Sequence, residues 1–357
     1  MNSIMHTCAN EALFPMTTTI KDIAKRTGVS HSTVSRALRG DPLISFATAK
    51  RIQQAAAEMA YLPSAAARSL KTNRSQVLGV IVSSIDDPFF SEIVFGIEEA
   101  AQESGYRLFI AASQHDPARE QKIVQAMMEH RTDGVIICSS SFSPDQGRQL
   151  LEYGFPIVVV NHQGAENFHY SIFHDDVDGS RQITRHLIDL GHRKIAYLGN
   201  SLSGRTTLDR LTGFKAEMQS AGLPVPAEYI HHVAGNSPQF GMDDSNYLLN
   251  LKQPPTAIVC FNDMLAIGVL KGCRRAGLNV PDDISITGFD NIIFSAYTHP
   301  PLTTFDQPKQ SIGTEAARLL LDLLHSSPDG KVFQPKEIIL KGRLLVRNST
   351  AASPKEH

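Results

Sequence analysis

The sequence predicts an α/β protein in which a small helical module precedes a larger core of two doubly wound parallel sheets. Residues 17–75 show apolar residues at helical spacing and an excess of basic charge. From residue 76, short β-branched runs alternate with helical stretches, which is typical of buried parallel strands in βαβ units. This rhythm restarts after residue 175, so we expect two lobes around a cleft.

The helical module is predicted to contain a helix-turn-helix. A first helix from Thr19 to Arg26 is followed by Gly28, which can adopt the left-handed conformation at a helix end. Ser30 is a suitable N-cap for a second helix. The residues expected to face inward are Ile20, Ile23, Ala24, Val34, Ala37 and Leu38. Two helices joined in this way predict a module whose second helix enters the major groove of DNA.

The charge of this segment supports DNA binding. Residues 17–75 contain ten Lys or Arg and three Asp or Glu, a net charge of +7, whereas the rest of the chain has 24 and 33, a net charge of −9. The polar face of the second helix consists of His31, Ser32, Ser35, Arg36 and Arg39. A basic module on an acidic body is typical of proteins that neutralise phosphates. The alternative is a solvated helical domain with a surplus of basic residues.

Two more helices are predicted before the core. One, over 47–60, closes a three-helix core, and another, over 65–70, is too short to be stable without a partner. Leu70 lies between Arg68 and Lys71, where it can wedge between base pairs in the minor groove. The alternative is that Leu70 packs on the following domain.

The core sequence predicts strands whose ends carry polar side chains. The predicted strands are 77–82, 106–113, 134–139, 156–161, 194–199, 229–234, 256–261 and 283–289. The polar residues at their ends are Asp86, Asp87, Asn161, Asn262, Asp263 and Asp290. Because ligands of such folds bind at the carboxyl ends of strands, we expect a site there for a hydroxylated small molecule.

Other classes of function receive no support from the sequence. The four cysteines, Cys8, Cys138, Cys260 and Cys273, lack metal-type spacing and are typical of reduced thiols in a cytoplasmic protein. No apolar run is long enough to span a membrane, and residues 1–16 lack the features of a secretory signal. No phosphate-binding glycine loop or nucleophile turn is present, so we expect no enzyme activity, catalytic residue, cofactor or metal.

Long stretches of the chain resemble the lactose-repressor (LacI/GalR) family of bacterial transcription regulators, from residue 17 to about 348. TIKDIAKRTGVSHSTVSRALRG resembles the DNA-binding signature of that family, and YLPSAAARSLKT resembles its hinge. HLIDLGHRKIAYLG, FNDMLAIGVLKGCRRAGLNVPDDISITGFDN and PPLTTFDQP are similar to its core signatures. The resemblance implies a periplasmic-binding-protein-like core, a homodimer on palindromic operator DNA, and an effector that changes operator affinity by moving one lobe.

The resemblance also implies site residues, position by position. Those for DNA are His31, Ser32 and Arg36 as base contacts, Thr19, Ser30, Thr33 and Ser35 as phosphate contacts, and Leu70 with Arg68 and Lys71 in the hinge. Those for the effector are Phe89, Arg210, Asn262 and Asp290, together with Asn236, which stands where better-known members carry a stacking aromatic residue. The alternatives are a core role for Phe89, an interlobe salt bridge for Arg210 and a helix cap for Asp290. A missing stacking residue favours a small polyol or monosaccharide over a nucleobase or a long oligosaccharide.

The sequence thus predicts a cytoplasmic repressor that binds operator DNA as a dimer under the control of a sugar-like effector. The expected segments are a disordered extension (1–16), the helix-turn-helix domain (17–62), the hinge helix and linker (63–75), the core (76–348) and a flexible tail (349–357). In the core, 76–174 and 304–335 are assigned to the first lobe, and 175–303 and 336–348 to the second. Two alternatives stay open: control by a protein co-regulator, and a sugar-binding transport component.

Overall fold

A computed structural model of the chain describes residues 18–61, 74–138, 154–161, 170–325 and 336–354. The chain divides into two compact units between residues 73 and 74. The first unit contains α1 (Ile20–Thr27), α2 (His31–Ala37) and α3 (Phe46–Glu58). The hinge helix predicted over 65–70, with Arg68, Leu70 and Lys71, lies outside the described residues.

The first unit has the predicted three-helix arrangement. Ile23, Val34 and Ile52, one from each helix, are completely buried in a shared apolar core. Gly28 has a φ of 67° and ends α1 in the left-handed conformation. The Oγ of Ser30 accepts a hydrogen bond from the backbone N of Thr33 at 3.1 Å, which caps α2. The predicted helix-turn-helix is therefore confirmed.

The second unit contains two parallel sheets, which define its two lobes. The first sheet consists of β1 (Val77–Val82), β2 (Arg107–Ala112), β3 (Gly134–Cys138), β4 (Ile157–Val160), β5 (Tyr170–His174) and β11 (Lys336–Leu340), in the order β11-β5-β4-β3-β1-β2. The second sheet consists of β6 (Ile195–Asn200), β7 (Ile230–Val233), β8 (Ala257–Cys260) and β9 (Ser285–Thr287), in the order β7-β6-β8-β9. A separate antiparallel ribbon pairs β10 (Thr304–Asp306) with β12 (Arg343–Leu345).

Helices cover both faces of each sheet. Those of the first lobe are α4 (Pro88–Glu103), α5 (Pro117–Glu129) and α10 (Lys309–His325). Those of the second lobe are α6 (Asp176–Asp189), α7 (Gly204–Ser220), α8 (Pro238–Leu249) and α9 (Asp263–Arg275). Alternate residues of a strand face opposite layers: Ile136 of β3 packs with α4 and α10, and Ile137 packs with α5. The predicted doubly wound architecture is confirmed.

Two lobe assignments were wrong. Residues 336–340, expected in the second lobe, pair with β5 at the edge of the first sheet. Residues 304–306, expected in the first lobe, form the ribbon and bridge to Asp290 of the second lobe. An apolar run predicts a strand, but the sheet edge that it joins is decided by tertiary pairing.

The expected flexible tail is also wrong for residues 349–354. Ser349 is completely buried, and its Oγ donates a hydrogen bond to the carbonyl oxygen of Ile286 at 2.6 Å. The backbone N of Ser353 donates to Leu190 at 2.9 Å. These bonds add the segment to the second lobe, and residues 355–357 lie outside the described part of the chain.

Candidate functional site

The start of α2 gathers the polar residues predicted to contact DNA. The Oγ of Ser30 lies 2.8 Å from both the Oγ of Ser32 and the Oγ1 of Thr33. Ser32 and the neighbouring His31 are exposed, while Ser35, farther along the helix, is partly buried. Three hydroxyls and one imidazole therefore lie at the end of α2 that would meet the major groove.

Two further residues predicted to contact DNA are held by carboxylates. The backbone N and the Oγ1 of Thr19 both donate to Oδ2 of Asp22, at 2.9 and 2.6 Å. The Nε of Arg36 donates to Oδ2 of Asp41 at 2.8 Å, and this guanidinium lowers the pKa of Asp41. The carboxylate of Asp41 contacts the Nε of Arg36 rather than its two terminal nitrogens.

A cavity of about 330 Å³ lies between the lobes of the second unit. The five residues predicted to contact the effector all line it: Phe89, Arg210, Asn236, Asn262 and Asp290. Asp87 and Asn161, at the ends of first-lobe strands, line it as well. Asp263 does not, because its carboxylate is buried in the second lobe, where it accepts hydrogen bonds from Thr304 and from the backbone of Ile292. The strand ends thus supply a polar cavity, as predicted for a doubly wound fold.

Arg210 is held on all sides. Only 4% of its surface is exposed; its Nε donates to Oδ1 of Asp176 at 2.7 Å and its Nη1 to the carbonyl oxygen of Phe261 at 2.5 Å. Its Nη2 donates to Oδ1 of Asp290 at 3.4 Å. The guanidinium lies over two rings, 4.5 Å from that of Phe261 and 3.8 Å from that of Phe289. All these partners belong to the second lobe, so Arg210 does not form the interlobe salt bridge considered as its alternative.

The two carboxylates next to Arg210 differ in pKa. Burial by itself raises the pKa of Asp176. The interactions with His174 and Arg210 outweigh burial and bring this pKa down from its usual 3.8 to about 2. Burial raises the pKa of Asp290 well above its usual value, and the more distant Arg210 offsets only part of this increase. Asp176 is therefore the carboxylate that neutralises Arg210, whereas burial disfavours the charged form of Asp290.

Of the remaining cavity residues, Phe89 and Asn262 also stabilise the fold. Phe89 is 6% exposed and belongs to the first-lobe core, so its core role and its place in the cavity wall coexist. The Oδ1 of Asn262 accepts a hydrogen bond from the backbone N of Leu265 at 2.9 Å and caps α9. Asp290 caps no helix, since the 3-10 helix that follows it starts at Ile293.

Asn236 joins the two lobes. Its Nδ2 donates to Oδ2 of Asp87 at 2.7 Å, and the Oδ1 of Asp87 accepts from the backbone N of Phe89 and caps α4. Burial raises the pKa of Asp87. Asp87 was expected at the site as a polar residue that follows a strand. Sequence reasoning missed Asp176, whose contact with Arg210 exists only in the folded chain.

The described residues contain no group of three or more His, Cys, Asp or Glu side chains placed to hold a metal ion. The buried His192 forms hydrogen bonds with hydroxyl groups: its Nδ1 lies 2.9 Å from the Oγ1 of Thr256, and its Nε2 lies 3.0 Å from the Oγ of Ser285. In the same part of the chain, no helix has both the length and the apolar character needed to cross a membrane.

The chain is similar to known bacterial regulators along nearly its whole length. Residues 19–64 match the family described as bacterial regulatory proteins, lacI family, and residues 184–350 match the periplasmic binding protein-like domain. The HTH-type transcriptional repressor PurR of Actinobacillus pleuropneumoniae serotype 3 (strain JL03) is 35% identical over 331 residues, which cover 93% of this chain and 98% of the relative.

Two solved structures are similar in fold. The lac repressor dimer bound to operator and the anti-inducer ONPF superposes with a TM-score of 0.82 at 27% identity, over 94% of this chain and 100% of the other. The complex of the transcriptional regulator CelR with cellobiose gives a TM-score of 0.69 at 26% identity, over 93% and 99% of the two chains.

Proposed function

Because the chain belongs to the lacI family of bacterial regulatory proteins, we propose that it is a DNA-binding repressor whose operator affinity is set by a small hydroxylated ligand between the lobes. The observation that carries this proposal is a polar cavity, built around Arg210 and Asp290, in the same chain as a helix-turn-helix. A transport role is not favoured, since a transport component has no use for that DNA-binding unit.

On DNA, two copies would place their α2 helices in successive major grooves of a palindromic operator. The proposed base contacts are His31, Ser32 and Arg36, the phosphate contacts are Thr19, Ser30, Thr33 and Ser35, and the hinge contacts are Arg68, Leu70 and Lys71. The chain would act as a dimer, as does the lac repressor in the operator complex to which it is similar.

The chemistry of the cavity favours a sugar or a similar polyol. Its volume of about 330 Å³ is at the small end of ligand sites, and hydroxyl, amide and carboxylate groups converge on it. Asn236, at the position where the family resemblance implies a stacking aromatic residue, offers an amide that is bonded to Asp87. The structural neighbour CelR was solved with cellobiose, a carbohydrate.

A thermal-shift screen of the full chain tests the ligand class, with monosaccharides, polyols, sugar phosphates and nucleobases as the panel. A compound at 100 times its Kd should add about 2.7 kcal/mol to the free energy of unfolding, a shift of a few degrees in Tm. Asn236→Ala should reduce the shift, while Gln239→Ala, an exposed change three residues away, should not. No shift with any compound would contradict control by a small polar ligand and favour a protein co-regulator, whereas a shift with nucleobases alone would refute the sugar assignment.

Leu70→Ala tests the hinge on DNA. Affinity for the operator should fall sharply while affinity for unrelated DNA barely changes, because only specific binding kinks the central step. Equal losses on both DNAs would refute the wedge role.

A further inference from the structure

The backbone that carries Asp290 is bent into an unusual conformation. Asp290 and the next residue, Asn291, have φ values of 111° and 52°, which residues other than glycine seldom adopt. Such a bend persists only when the surroundings hold it, and it is common at ligand sites. The direction of the Asp290 carboxylate therefore depends on whatever holds these two residues. Within the second lobe, the backbone N of Asp290 donates to the carbonyl oxygen of Phe305 at 2.9 Å, and the backbone N of Asn291 donates to the Oγ1 of Thr304 at 3.3 Å.

One ammonium group also bonds both residues of the bend. The Nζ of Lys309 donates to the carbonyl oxygen of Asp290 at 2.6 Å and to that of Asn291 at 3.0 Å. Lys309 is only 2% exposed, and its nearest carboxylate partner is Glu92 of α4, whose Oε2 lies 3.5 Å from the Nζ. A buried ammonium that bonds two carbonyl oxygens cannot be replaced by an apolar group without leaving both oxygens unpaired.

This contact crosses from one lobe to the other. Lys309 is the first residue of α10, which packs in the core of the first lobe through Ile312 and Ala316, whereas Asp290 follows β9 of the second lobe. Another interlobe hydrogen bond at the cavity joins Asn236 to Asp87, and its donor is a neutral amide. A movement of one lobe relative to the other would therefore strain or break the hydrogen bonds between the Lys309 ammonium and the backbone of Asp290 and Asn291.

We propose that Lys309 is a positioning residue for the cleft: from the first lobe its ammonium adds to the second-lobe bonds that hold the Asp290–Asn291 bend, so that the position of the Asp290 carboxylate depends on the arrangement of the lobes. The part concerning ligand binding rests on the proposed function, because Lys309 acts on the ligand only through Asp290. The part concerning the lobes does not, since the bonds of Lys309 to the two carbonyl oxygens involve no ligand atom. Lys309 thereby couples the shape of the cavity to the lobe movement that would control DNA.

Distances between spin labels on the full chain test this without any effector. Labels at cysteines introduced for Gln121 of α5 and Gln219 of α7, both exposed, report the separation of the lobes. Cys138, Cys260 and Cys273 are buried, so labelling is selective once Cys8 is replaced with Ser. Dilution with unlabelled protein removes distances between copies.

Lys309→Met, which keeps the length but removes the ammonium, should add a second population of distances. It should also shift the backbone amide resonances of Asp290 and Asn291. Lys309→Arg, which keeps a positive charge, should show the single population and the resonances of the wild type. Lys271→Met, at an exposed lysine of α9, should also leave both unchanged. A merely structural role would lower Tm in Lys309→Met without a second population.

An unchanged distance distribution in folded Lys309→Met would overturn the proposal. If that variant does not fold, Lys309→Gln takes its place, because the shorter, neutral glutamine side chain cannot bond both carbonyl oxygens as the ammonium does. An unchanged distance distribution in Lys309→Gln would overturn the proposal equally. A screen that finds no effector, by contrast, would leave the distances as they are, so the two proposals fail separately.

Discussion

Replacing Arg210 with Met should destabilise the second unit by about 3–5 kcal/mol, the usual cost of leaving a buried charge without its partner. Arg210 and Asp176 are both 4% exposed. The Nε of Arg210 donates to the carboxylate of Asp176 at 2.7 Å, which is shorter than its contact with Asp290. A pKa of about 2 for Asp176, against its usual 3.8, corresponds to roughly 2 kcal/mol of favourable interaction with His174 and Arg210 together, beyond the cost of burial. Loss of the Asp290 contact adds to this amount.

Denaturant unfolding of the full chain, followed by circular dichroism, measures the effect. Arg318→Met is the matched control, because its exposed pair with Glu315 should contribute less than about 1 kcal/mol. The double variant Arg210→Met with Asp176→Asn should recover part of the loss, since it also removes the uncompensated carboxylate.

The loss should also depend on pH. In the wild type the lowered pKa of Asp176 contributes stability that is present above its usual pKa and disappears as pH falls through about 2. Without Arg210, only His174 still opposes the effect of burial, so the pKa of Asp176 should rise and the difference from the wild type should shrink as pH falls from 7 to 4. A loss below about 1 kcal/mol, or one that is independent of pH, would refute the reasoning.

Three further predictions follow from single sites. Burial raises the pKa of Asp263 to about 7, so the folded chain keeps a proton that the unfolded chain releases near 3.8; the free energy of unfolding should fall as pH rises from about 4 to 7, and a variant Asp263→Asn that keeps this slope would contradict the assignment. A Cβ at Gly96 would overlap the carbonyl oxygen of Gln310, so Gly96→Ala should cost about 1–3 kcal/mol, and an unchanged Tm would argue against this close packing of α4 and α10. Ser30→Ala should cost the first unit about 1 kcal/mol through loss of the α2 cap, seen as faster amide exchange in α2; unchanged exchange would count against the cap.

The fold was predictable where its signals are local. The turn at Gly28 and the cap at Ser30 depend on a few adjacent residues, and both were located correctly. The sheet joined by residues 336–340 was not, because it depends on the free edge of β5, more than 160 positions earlier in the chain.

The residues of the candidate site were likewise only partly predictable from the sequence. Asp290 could be found at a strand end, and both Arg210 and Asp290 from the family resemblance; the structure brings them together. Asp176 could not, because its contact with Arg210 spans 34 positions and requires the packing of α6 on α7. The bend at Asp290, and Lys309 that holds it, likewise exist only in the folded chain.

The most direct test of the central claim is an anisotropy titration of a palindromic operator, selected from random DNA with this protein, at one fixed salt concentration. The strongest compound of the thermal-shift screen should change operator affinity by roughly 5–150-fold, the usual range of coupling between two sites. The change should be reduced in Asn236→Ala and kept in Gln239→Ala. An operator affinity that no cavity ligand alters would contradict the account.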